Sequence, residues 1–178
     1  MLEYSEEFMT VARTLDNEMG GTVSIIADLI GDNSPSYGEL ADLQDMAFKR
    51  FIADNKDRIF SRLFEFYRPI WDAFKKIGWN VERDYNIVTL GNYSPAGEEL
   101  IETLYLDDKA NIPDQMYLIY DEFDEEEHAT MWIDAKRNGT QGVPSIMRLA
   151  RDAEDITDMY IKLVAAAREN YSYCTEEK

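Results

Sequence analysis

The chain has one histidine, His128, and it lies three residues after Glu125. A Glu-x-x-His pair sets both side chains on one helical face, and carboxylate-bridged di-iron bundles draw one such pair from each of two helices. A second pair needs a second histidine, so that centre is excluded. The same count excludes a catalytic zinc site of the HExxH type, which takes two imidazoles one turn apart. On this spacing His128 is a surface residue among carboxylates, with no metal and no cofactor. The one cysteine, Cys174, sits between Tyr173 and Thr175 in a C-terminal tail. It allows no intrachain disulfide and fits a reducing, cytoplasmic setting. No GxGxxG, GxxxxGK[ST] or GxSxG run is present, so the common phosphate cradles and the nucleophile elbow are missing.

One constellation of acids has an enzymatic reading. Pro113-Asp114 lies upstream of Asp134-Ala135-Lys136, which resembles the PD…DxK pattern of restriction-type nucleases. There the acids hold a divalent metal and the lysine assists the attacking water. The triplet has little specificity, because Asp54-Asn55-Lys56 and Asp107-Asp108-Lys109 satisfy it too. The surrounding segment has a helical period, whereas such an active site is built on strands. A metal-dependent nuclease using Asp114, Asp134 and Lys136 stands as the enzymatic alternative to a protein without catalytic function.

The carboxylates are more telling as a population. The 178 residues carry 36 Asp and Glu against 18 Lys and Arg, a net charge of −18. Residues 1–48 hold ten acids and one base, and residues 84–135 hold fourteen acids and one base, Lys109. Residues 49–83 between them are basic, with nine Lys and Arg against five acids. A surface of this charge repels a nucleic-acid backbone and an anionic membrane, so direct binding to either is not expected. Apolar residues make up 45% and aromatics 12%, which are globular values and argue against disorder. The length suits a single domain, residues 1–178, that buries roughly two-thirds of its unfolded surface. The acidic start, Met1 to Glu7, is neither a signal nor a transit peptide. The best apolar run, Val23 to Ile30, is short and broken by Asp28, so no membrane span is expected.

These charges need elements to position them. Phe8, Ala12, Leu15, Met19, Ile26 and Ile30 recur at near-helical spacing over 5–30, with Gly20-Gly21 as a point where the element can split. An aromatic-rich stripe runs helically over 36–78, with breaks at Asp54-Asn55 and Pro69. Tyr85 to Leu90 has strand character, and Ser94-Pro95-Ala96-Gly97 is a turn. Residues 98–106 fit a helix capped by Ser94 or the second strand of a hairpin, and Thr103 and Tyr105 favour the hairpin. Ile112, Met116, Ile119, Tyr120 and Phe123 mark a helix over 112–123. Asp124 then caps a short helix to about Lys136, with Glu125, Glu126 and Glu127 in the first turn, where the helix dipole favours them. Asn138 to Gly142 is a loop. Val143-Pro144-Ser145 opens a last helix, in which Ile146, Leu149, Ala153, Ile156, Tyr160, Leu163 and Ala167 form an a/d seam. The seam can pack within the chain or form a homodimer through Ile146, Leu149, Ile156 and Leu163. The expected fold is α+β and predominantly helical: a helical bundle with one central β-hairpin. It comprises a helical part over 1–78, a hairpin region over 79–111 and a helical part over 112–178.

Within that frame the acids can be a solvated surface, or an ordered face that imitates nucleic-acid phosphates and binds a basic groove. Asp114, Asp121, Glu122, Asp124, Glu125, Glu126, Glu127 and Asp134 are the candidate partner-binding residues. A complementary field would steer such a partner and raise the association rate. Three pieces carry a resemblance: Ser94-Pro95-Ala96-Gly97-Glu98, His128-Ala129-Thr130-Met131-Trp132, and Asn138-Gly139 with Gly142-Val143-Pro144. They resemble short acidic accessory proteins of phages and mobile elements in Firmicutes, and the profile is similar to anti-CRISPR and anti-restriction proteins. The resemblance covers the C-terminal half and implies a non-enzymatic inhibitor of a host defence nuclease, such as a Cas9, inside the bacterial cell. An immunity protein against a nuclease toxin is the near alternative.

Overall fold

The computed structural model describes residues 3–130 and 146–176, and the backbone alone over 146–150. Met131-Trp132, Asp134, Lys136, the loop expected at 138–142 and the helix opening at 143–145 lie outside the described residues. In the first helix, α1 (Glu6–Met19), the Ser5 hydroxyl accepts from the Phe8 N–H at 3.1 Å, and Glu6 and Glu7 suit the dipole of the first turn. The helix stops at Gly20, whose φ of 62° is left-handed. A second helix, α2 (Gly21–Ile30), begins at once, with the Asp16 carboxylate accepting from Thr22 N–H at 2.7 Å. The double glycine therefore splits the segment in two. Gly21 has a further reason to lack a side chain: a Cβ there would lie 2.3 Å from the Phe51 ring. The aromatic stripe divides into α3 (Tyr37–Asp54), α4 (Lys56–Phe66) and α5 (Arg68–Lys76). A capping box between Ser36 and Glu39 opens α3. Pro69 sits in the first turn of α5, where no amide donor is needed.

The sheet has three antiparallel strands in the order β1 (Asn80–Asp84), β2 (Ile87–Tyr93), β3 (Glu99–Tyr105). The expected hairpin is β2–β3, and residues 99–105 are strand. The third strand, β1, is an addition to the expected hairpin, because Asn80-Val81-Glu82-Arg83-Asp84 offers a single apolar residue and no alternation. Tyr85 is also not the start of a strand. The register pairs Asp84 with Ile87, so Tyr85 and Asn86 form a two-residue turn, with Tyr85 at φ 55°. Its ring stands edge-on to Phe60, centroids 4.9 Å apart, which holds that unusual backbone in place.

Val88, Leu90, Leu100 and Leu104 form the buried face of the sheet. α6 (Ile112–Glu122) packs on β3, and α5 packs on β1. A short helix, α7, is described over residues 125–130, and Asp124 caps it through Glu127 N–H at 3.0 Å. The long α8 (Ile146–Thr175) lies against α5 and α6. Its seam is satisfied within the chain: Ala153, Ile156, Tyr160, Leu163 and Ala167 are buried, Ile156 and Leu163 completely. At those two residues the seam is used for packing within the chain and not for a homodimer, since each contributes about 2 kcal/mol by burial in its own core. The side chains of Ile146 and Leu149 fall outside the described residues. Cys174 is not in a tail either. It is buried on α8, and burial pushes its thiol up to about 11.

Candidate functional site

Six acids gather where α6 hands over to α7. Asp121 and Glu122 occupy the last turn of α6, where no basic residue offsets them and the helix dipole disfavours negative charge. Phe123 is extended and ends the helix, and Asp124 to Glu127 open the next. The Phe123 ring is the anchor of this junction, 5.2 Å from Tyr160 and 5.3 Å from His128. Asp121, Glu122, Asp124, Glu125, Glu126 and Glu127 are all exposed, and among the described residues none of them is in an ion pair. Asp114 is exposed too, but it lies in the first turn of α6, roughly 10 Å along the axis from Asp121 at 1.5 Å per residue. It is on a helix rather than a strand, and Asp134 lies outside the described residues. The fold thus brings together six of the eight residues expected to meet a partner.

Beneath this face lies a cluster that joins three distant parts of the chain. His128 is mostly buried, not a surface residue, and its partner is not Glu125. Its Nε2 is 2.8 Å from a Glu98 oxygen. Asp152, 2% exposed on α8, accepts from the Ser94 hydroxyl at 2.9 Å and from Ala96 N–H at 3.0 Å. The Ser94 hydroxyl in turn accepts from Glu98 N–H at 3.0 Å, and Gly97, with φ 90°, completes the turn. One oxygen of Glu98, one of Asp152 and one ring nitrogen of His128 lie within 4.8 Å of each other. Such a set can offer three ligand atoms to a divalent cation, but the bonds now made are those of a latch. Asp152 holds the β2–β3 turn to α8, and Glu98 holds the start of α7 to the same turn.

The basic middle segment is largely self-contained. Lys49 pairs with Asp45 at 2.9 Å and Arg62 with Glu18 at 2.6 Å, both in the first acidic block. Arg50, Arg68 and Arg83 pair with Asp54, Glu65 and Asp57 inside the segment itself. These pairs are exposed, except that Arg83 is half-buried, and each is weak. Among the described residues none of these pairs reaches the acids of the α6–α7 junction.

Sequence reasoning located the acids because exposure of charged residues is nearly automatic. It missed the latch, because Glu98 and His128 are 30 residues apart and Ser94 and Asp152 are 58 apart. One signal was available: Asp152 falls three residues after Leu149 and four before Ile156, on the apolar face of α8. An acid there needs donors. Among the described residues no helix is long and apolar enough to cross a membrane. Comparison with family models, with curated proteins and with solved structures finds no match.

Proposed function

We propose that the protein is a non-enzymatic inhibitor that binds a basic, nucleic-acid-binding protein through the α6–α7 face, with a host defence nuclease of the Cas9 type as the target. The supporting observation is the six exposed carboxylates at the α6–α7 junction, none of them in an ion pair among the described residues. Two of them sit at a helix C-terminus, where they destabilise the helix, so local structure does not account for them. The latch from Glu98 to His128 limits their freedom, and a fixed array loses less entropy on binding than a mobile one. An immunity protein for a nuclease toxin would use the same face, and the identity of the inhibited nuclease separates the two.

The test is a DNA-cleavage assay with a Cas9-type nuclease and stoichiometric protein. Inhibition is expected, weakening at least tenfold between 50 and 300 mM NaCl and on the double charge reversal Glu122→Lys, Glu125→Lys. Inhibition indifferent to salt and to the reversal, or none with any basic nuclease, would sink the proposal.

A further inference from the structure

α2 is an apolar helix that the described residues leave largely uncovered. Its sequence, GTVSIIADLI, has six apolar side chains and not one buried residue. It packs on α3 and, at its start, on α1. Val23 is 73% exposed and Leu29 45%, and on α3 Met46 is 52% exposed. The end of α2, the 31–36 loop and the first half of α3 enclose a groove of about 500 Å³. Leu29, Ile30, Pro35, Leu43 and Met46 supply its apolar lining. Isolated apolar residues on a surface are ordinary, but a contiguous apolar trough marks an interaction site.

The charge around the groove identifies the occupant. Glu39 and Asp42 line it, and Asp28 and Asp32 flank Leu29 and Ile30 in sequence, all exposed. The Glu39 carboxyl is held below the usual range by bonds from Ser36, so it stays ionised. The first 48 residues contain one base, Arg13, on α1. A second copy of this chain would bring an identical acidic rim against the first, and an anionic lipid surface would be repelled. We infer that the α2–α3 groove docks an amphipathic helix of the target protein, apolar on one face and basic on its flanks. Leucine-like side chains enter the trough at i, i+3 and i+4, and flanking Lys or Arg meet the four carboxylates. This rests on the proposal that the target is basic and adds a second, apolar contact on the opposite half of the chain from the α6–α7 acids.

The probe is an 18-residue leucine/lysine peptide with its leucines in one helical stripe, compared by calorimetry with a peptide of equal composition in shuffled order. The striped peptide is expected to bind, and Leu29→Asp and Met46→Asp should each weaken it at least tenfold. Both residues are about half exposed, so circular dichroism and melting should show an intact fold. The Glu122→Lys, Glu125→Lys reversal should leave the peptide affinity within twofold. Equal binding of the shuffled peptide, or unchanged binding in Leu29→Asp, overturns the groove. So does a wild-type dimer in sedimentation that Leu29→Asp dissociates, or uptake on phosphatidylglycerol vesicles at 150 mM salt that the same variant abolishes. If the peptide survives Leu29→Asp but is lost on the Glu122/Glu125 reversal, the groove fails and the α6–α7 reading stands.

Discussion

Glu102 points inward from β3, between Leu100 and Leu104 and opposite Leu90 in the register. It accepts a hydrogen bond from the Tyr160 hydroxyl at 2.5 Å. Burial raises its pKa above the ordinary 4.5, and burial raises that of the Tyr160 phenol as well, so the phenol keeps its proton and donates. A carboxyl with a raised folded-state pKa binds its proton more tightly folded than unfolded. Its favourable contribution is therefore complete below the unfolded value and is lost as pH rises through the folded one. Glu102→Gln keeps an acceptor for Tyr160 and removes the buried charge. The variant should melt higher than the parent at pH 7, with the gap closing as pH falls towards 4.5. Melting curves from pH 4 to 7 check this, and a gap of constant size would contradict it. Glu102 was not legible in the sequence, because alternation along a strand reports burial for apolar side chains and says nothing about an acid that finds a donor 58 residues away.

Gly20 and Gly21 do different jobs at the α1–α2 junction. Gly20 supplies the left-handed turn with open space around it, while Gly21 lets the backbone approach the Phe51 ring. Gly21→Ala forces a Cβ into a residue that is 1% exposed and should cost about 1–3 kcal/mol. Gly20→Ala should cost about 1 kcal/mol, from backbone strain alone. Urea denaturation of both variants tests the order, and a milder effect at Gly21 would place the Phe51 ring elsewhere. The glycine pair was visible as a break, but which glycine touches the core was not. Helix and turn signals were strong for α1, α3, α6 and the β2–β3 hairpin, where caps, periodicity and Pro-Gly chemistry agree. They failed for β1, which forms because β2 offers it an edge and not because its own residues prefer a strand.

The whole molecule balances an apolar core that includes Trp71, Phe8, Phe51, Phe60 and Phe74 against a net charge of −18. Self-repulsion at that charge lowers stability and is screened by salt. Raising NaCl from 20 to 300 mM should lift the melting temperature by roughly 2–4 °C, on the order of 1 kcal/mol for a chain of this size. A falling melting temperature would mean that the ion pairs of Arg62 and Lys49 outweigh the repulsion. Stability and partner affinity should therefore respond to salt with opposite signs. The ends of the fold also meet. Glu7, on α1, is buried and accepts hydrogen bonds from the Asn111 amide and from the Tyr171 hydroxyl, 164 residues further on. During synthesis, then, α1 waits for α8 to be made before its buried carboxylate has both its donors. A chain that stops short of Tyr171 leaves an acid facing the core without that donor, so the first helix settles only once the last has been added.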